Sequence, residues 1–179
     1  VSWTEPTAND YCEGPVTFSS RSHAPGSSFP VGTTVVTYTF TDGINVSSCM
    51  FNVTVVDNTE PVIACAVPAV SYVAGEGLCS YTISDSSLDP LSASDNCSVQ
   101  SIINDFNGTN TLSGAQFPVG TTTVTWTVTD NHGNTATCNQ TVTVVDTQDP
   151  TITCPANVTN VPADLNQCYA TGVALGTPT

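Results

Sequence analysis

The string FPVGTTTVTWTVTD, Phe117 to Asp130, occurs almost unchanged 88 residues earlier as FPVGTTVVTYTFTD, Phe29 to Asp42. Within each copy apolar and threonine residues alternate. Val124, Trp126 and Val128 share one face in the second copy, as do Val36, Tyr38 and Phe40 in the first. A period of two describes a half-buried antiparallel strand and rules out an amphipathic helix over the same residues. A chain that builds this strand twice builds a β domain twice.

The match extends beyond the strand. Cys49 aligns with Cys138, Asp57 with Asp146, Cys79 with Cys168, and DNTEPVIAC (57–65) with DTQDPTITC (146–154), a period of about 89 residues. VALGTPT at the C-terminal end lines up with VSWTEPT at the N-terminal end. The expected layout is the C-terminal part of one repeat over 1–58, a complete repeat over 59–147 and the N-terminal part of the next over 148–179. A two-repeat window from a longer tandem array has this form.

Each repeat is expected to hold six or seven short strands. Further strands are predicted over 49–55, 62–65, 78–83, 99–106 and 138–145, with Gln140 a polar exception on an inward face. Phe-Pro-Val-Gly reads as a turn that feeds the long strand, and DNHGN (130–134) as a hairpin turn. No helical periodicity competes, so the fold class is all-β: tandem immunoglobulin-like β-sandwiches.

Charge narrows the partners. The chain carries 15 acids against one basic residue, Arg21, and two histidines, for a formal net charge of −14. Nucleic acid and anionic membrane surfaces both need Lys and Arg, so both are excluded as partners. No stretch approaches the run of apolar residues that a membrane span requires, and no membrane insertion is expected in this segment. No signal peptide is visible.

Eight cysteines without a C-x-x-C, and with His23 and His132 far from any cysteine pair in sequence, argue against zinc and for disulfides in an oxidising compartment. Four cysteines per repeat allow three pairings. Pairing first with second and third with fourth leaves no cysteine orphaned: Cys12–Cys49, Cys65–Cys79, Cys97–Cys138 and Cys154–Cys168.

The stretch from Phe117 to Thr159 combines an F-P-V-G-T-T-x-V turn and strand, a T-D-x-x-G-N-x-A-x-C hairpin, a V-x-V-x-D-x-x-x-P linker and an I-x-C-P start. It resembles the hyalin repeat, or HYR, module, in one full and two partial copies. The Thr-rich, Lys-poor style is also similar to repetitive surface adhesins of Bacteroidota, including those of gliding motility. The resemblance implies an immunoglobulin-like fold and an extracellular, cell-surface, adhesion-associated role. The first copy departs at its hairpin, where TDGINVSSC is one residue shorter and lacks the Gly-Asn pair.

No nucleophile–base set recurs between repeats, so no enzyme activity is expected. His23 and His132 read as lone surface imidazoles. Calcium is the one cofactor with a candidate ligand set, because Ca²⁺ takes carboxylate and carbonyl oxygens. Acids gather where repeats meet: Asp57 and Glu60 at one junction, Asp146 and Asp149 at the other. Asp95, Asp130 and Asn134 are expected near a junction once folded. Six N-x-[ST] sequons start at Asn45, Asn52, Asn96, Asn107, Asn139 and Asn157; several would carry glycans in a eukaryotic host and none is expected to in a bacterial one.

Two functions fit. One is a structural stalk or spacer whose partners are the neighbouring repeats of the same chain, stiffened by Ca²⁺ at the junctions. The other is a module that recognises a glycan or a surface protein through its loops, with Trp3, Tyr11 and Tyr72 as surface aromatics and Trp126 assigned to the core.

Overall fold

The computed structural model describes residues 1–11, 16–66, 69–154 and 156–175. It is β throughout, with eleven strands among those residues and no helix.

The first unit is a three-stranded antiparallel sheet of β1 (Thr17–Arg21), β2 (Gly32–Thr41) and β3 (Val46–Val55), in the order β1-β2-β3. The alternation read from the sequence places Val36, Tyr38 and Val53 inward, with Phe29, Phe40, Phe51 and Trp3 packed against them. Trp3 is therefore no free surface aromatic. Its ring meets Phe29 and Phe51 edge-on, and its Nε1 donates to the Tyr38 hydroxyl at 2.9 Å. Arg21 pairs with Glu5 beside it.

The central unit is a two-layer sandwich. One layer is a four-stranded sheet in the order β5-β11-β10-β8, from β5 (Ala69–Val73), β8 (Val99–Asn104), β10 (Gly120–Asp130) and β11 (Thr135–Val145). β5 pairs with β11 in parallel, and the other pairings are antiparallel. The second layer consists of two ribbons, β4 (Val62–Ala64) with β7 (Ser92–Ser94) and β6 (Ser80–Thr82) with β9 (Gln116–Pro118). Between the layers lie Ile83, Leu88, Leu112, Phe117, Val124, Trp126, Val142 and Val144, all essentially closed to solvent. Burying that apolar surface is the main force holding the sandwich together. Residues 148–175 form no strand among those described.

Four short strands, β1, β5, β7 and β9, were not expected from the sequence. β9 corrects the reading of Phe-Pro-Val-Gly as a plain turn. Phe117 and Pro118 pair with β6 in one layer, and Gly120 then opens β10 in the other, so the motif carries the chain from sheet to sheet. Pro118 lacks the N–H that a central strand would need, and a two-stranded ribbon tolerates that. Gly120 makes the corner at φ 118°, a conformation side chains resist. Gln140 is buried as its alternation demands, and its Nε2 donates to the Leu88 carbonyl at 3.0 Å. Tyr72, expected at the surface, is partly buried and stacks on Tyr81 with ring centroids 4.4 Å apart.

The disulfide pairing is corrected as well. Cys65 bonds Cys138, with Cα atoms 5.9 Å apart. Cys65 follows β4, which lies over β11, and Cys138 faces inward from β11. Cys79 sits instead where β9 passes into β10, its carbonyl accepting from Val119. That level lies beside Gly120 and Val144, six residues along β11 from Cys138, or roughly 20 Å. Cys65 cannot bridge that gap, since a disulfide needs Cα atoms within about 7 Å. Among the described residues Cys49, Cys79, Cys97, Cys154 and Cys168 are thiols, and Cys12 lies outside the described residues.

Candidate functional site

Three carboxylates from separate parts of the chain converge where the first unit passes into the second. Asp57 comes from the linker after β3, Asp95 from the loop between β7 and β8, and Asp130 from the end of β10. One oxygen from each lies within 4.8 Å of the others.

Each loop uses its aspartate to organise itself. Asp130 Oδ1 accepts from the backbone N–H groups of His132 and Asn134, both at 2.8 Å, and its Oδ2 accepts from Asn134 Nδ2 at 2.7 Å. Gly133 completes that turn at φ 90°. Asp95 Oδ2 accepts from the N–H groups of Cys97 and Ser98, at 2.7 and 3.2 Å. Asp57 Oδ1 accepts from Thr59 N–H at 3.1 Å and from Asn96 Nδ2 at 3.3 Å. The Asp57 carbonyl accepts from Asn134 Nδ2 at 3.2 Å, so the linker is bound to the top loops of the unit that follows it.

Two oxygens are left over. Asp57 Oδ2 and Asp95 Oδ1 are buried and accept no well-formed hydrogen bond. The side chain of Asp57 is only 2% exposed, and Asp130 is fully enclosed. Buried carboxylates normally find donors or counter-charges. The one Arg in the chain is engaged with Glu5 in the first unit and there is no Lys.

Two of the three carboxyls are held below their ordinary values. The Thr59 N–H holds the Asp57 carboxyl below its ordinary value, helped by Asn96 and Cys97 against the opposing effect of burial. Burial pushes Asp130 up, but the bonds from Asn134, His132 and Gly133 outweigh it and the net shift is downward. The Cys97 thiol is pushed up, first by hydrogen bonding to Asp57, then by burial and by the charges of Asp57, Asp95 and Asp130.

The donor set suits a hard divalent cation. Ca²⁺ binds carboxylate oxygens at about 2.4 Å, so oxygens on opposite sides of the ion stand about 4.8 Å apart. Three carboxylates with an oxygen each inside that span fit such an ion, with His132 Nδ1 3.3 Å from Asp57 Oδ2 as the one cationic neighbour among the described residues that could compete for it.

Of the residues predicted from sequence, Asp57, Asp95, Asp130 and Asn134 are brought together here. Glu60, Asp146 and Asp149 stand exposed outside the cluster. Asp146 repeats the local turn of Asp57, its Oδ1 accepting from Gln148 N–H at 2.9 Å. Asn96, Cys97 and His132 were missed as neighbours. His132 Nδ1 lies 3.3 Å from Asp57 Oδ2, and with Cys97 these residues form a second close group. Their proximity arises from three loops meeting, which spacing along the chain does not reveal; Asn96 was visible only as a sequon.

A sandwich whose entering linker is locked into its top loops, and whose leaving linker repeats the same aspartate turn, defines a tandem β-sandwich repeat protein. The chain belongs to the HYR domain family, which matches residues 1–55 and 56–144. It is 40% identical over 146 residues to hyalin of Strongylocentrotus purpuratus, covering 76% of this chain and 11% of that protein. It is 37% identical over 144 residues to hyalin of Lytechinus variegatus, covering 79% of this chain and 26% of that protein. A protein of Mus musculus named for sushi, von Willebrand factor type A, EGF and pentraxin domains is 33% identical over 143 residues, covering 78% of this chain and 4% of its own length. The chain thus spans about a quarter or less of the relatives it matches.

Proposed function

We propose that the chain is a structural segment of an extracellular, adhesion-related cell-surface protein, a stalk of tandem HYR sandwiches whose junctions are set by Ca²⁺. The observation that carries this reading is the Asp57 linker. It is hydrogen-bonded into the following sandwich, and an oxygen of its buried carboxylate lies within 4.8 Å of one each from Asp95 and Asp130. A Ca²⁺ there offsets two of the three negative charges and fixes the linker, and with it the angle between repeats. The short proline-bearing linkers DNTEP and DTQDP add stiffness. The Thr-rich, Lys-poor surface is one that repetitive Bacteroidota adhesins share. The role is structural rather than catalytic.

The binding-module reading is weakened by the packing of Trp3 and Tyr72, two of the three aromatics it relied on.

Thermal unfolding with Ca²⁺ and with EDTA tests the proposal. Ca²⁺ at about 100 times its Kd is expected to raise the Tm of the central unit by about 10 °C. Asp95→Asn should abolish most of that rise while leaving the EDTA melting curve near that of the parent. An unchanged Tm across millimolar Ca²⁺ would refute calcium at the junction.

A further inference from the structure

Cys79, exposed, and Cys97, half-buried, are both thiols in a sandwich whose inward-facing pair, Cys65 and Cys138, is bonded. They cannot bond each other. Cys79 lies at the Val145 end of β11, where its carbonyl accepts from Val119 beside the Gly120–Val144 pair. Cys97 lies at the Thr135 end, where Asn131 N–H donates to the Ser98 carbonyl and Val99 pairs with Asp130. The eleven residues of β11 separate these levels by roughly 30 Å.

Each cysteine instead sits beside a linker. The loop that leads into Cys79 holds the leaving linker: Gln148 Nε2 donates to the Gly75 carbonyl, and Gly77 N–H donates to Gln148 Oε1, both at 2.7 Å. The loop that carries Cys97 holds the entering linker, with Asn96 Nδ2 donating to Asp57. The two linkers are the same segment one repeat apart. Asp57 matches Asp146, Thr59 matches Gln148, and both form the same turn, in which the aspartate Oδ1 accepts from the N–H two residues on. Superposing the linkers brings the Cys79 loop of one repeat and the Cys97 loop of the next to positions two residues apart, at most about 7 Å along the chain.

We propose that Cys79 of each repeat forms a disulfide with the Cys97 equivalent of the following repeat, stapling consecutive sandwiches across their junction. This inference rests on the tandem-array reading above. Two thiols become one S–S bond. The two protons and two electrons pass to a disulfide-bearing oxidoreductase, whose own S–S bond is reduced to a dithiol. The staple accounts for the spacing of all four cysteines in a repeat. Cys65–Cys138 closes a sandwich upon itself, and Cys79 and Cys97 join it to its two neighbours.

The test extends the whole chain at its C-terminus by a second copy of residues 91–147, which completes a third repeat. Both forms are folded in an oxidising compartment, alkylated without reduction and mapped by peptide mass. In the chain as it stands, Cys79 and Cys97 should be alkylated and Cys65 linked to Cys138. In the extended chain, Cys79 should lose its alkylation almost completely and appear linked to the appended copy of Cys97. Cys97→Ser in the appended copy should restore alkylation of Cys79. A Cys79–Cys97 bond within the original chain, or Cys79 still alkylated in the extended one, overturns the staple. The array reading fails on a different observation, a natural coding sequence that does not continue the 89-residue period, so the two failures are distinguishable.

Discussion

Gln140 shows what a single polar side chain does inside this sandwich. It occupies an inward position of β11, 1% exposed, and satisfies the Leu88 carbonyl of the opposite layer while its own Oε1 stays unpaired. Gln140→Ala leaves a cavity and an orphaned carbonyl, and should destabilise the central unit by about 3 kcal/mol in denaturant unfolding. Other aspartates use their charge locally. Backbone N–H groups of Asn45 and Ile44 hold Asp42 below the ordinary aspartate value, and Ser87 does the same for Asp85, by its side chain and its N–H. A lowered folded pKa stabilises above the unfolded value and is lost as pH falls through the folded one. Stability should therefore be flat from neutral pH down to about 4 and fall below it. Asp42→Asn together with Asp85→Asn should flatten that acid limb in urea titrations at successive pH values.

At the level of strands and turns, the long alternating segments were legible from the sequence because one face packs and the other is solvated. β10 and β11, with their Val, Trp and Thr, announce themselves. β1, β5, β7 and β9 are too short for a period to register, and they exist because a neighbouring strand offers them hydrogen-bond partners. The acidic cluster was legible in part for the same reason. Asp130 and Asn134 share one turn, but their meeting with Asp57 and Asp95 depends on three loops reaching the same end of the sandwich. The cysteine pairing went astray because minimising orphans along the chain ignores which end of the sandwich each cysteine occupies. The hairpin itself makes a sharp prediction. Gly133 adopts φ 90°, with no atom near the position of an added Cβ, so Gly133→Ala suffers from backbone conformation alone. It should lower stability by about 1–2 kcal/mol and weaken any Ca²⁺ response with it, both read in the same melting series.

Across the whole molecule, the Cys65–Cys138 bond ties the two layers over 73 residues of sequence, and in the chain-entropy picture it stabilises by about 4 kcal/mol. Cys65→Ala with Cys138→Ala should lower the unfolding free energy by roughly that amount under equilibrium denaturation. The same bond decides how far a repeat stretches under tension. With the bond closed, a pull on the two linkers passes from β4 through Cys65–Cys138 into β11, while β5 lies inside the closed loop. The 73 residues inside that loop stay out of reach. Of about 89 residues in a repeat only about 16 lie outside the loop, a contour length of roughly 55 Å in place of roughly 300 Å for an unbridged repeat. Single-molecule pulling before and after reduction reads both lengths directly. A filament of such units gives a little under load and then goes taut.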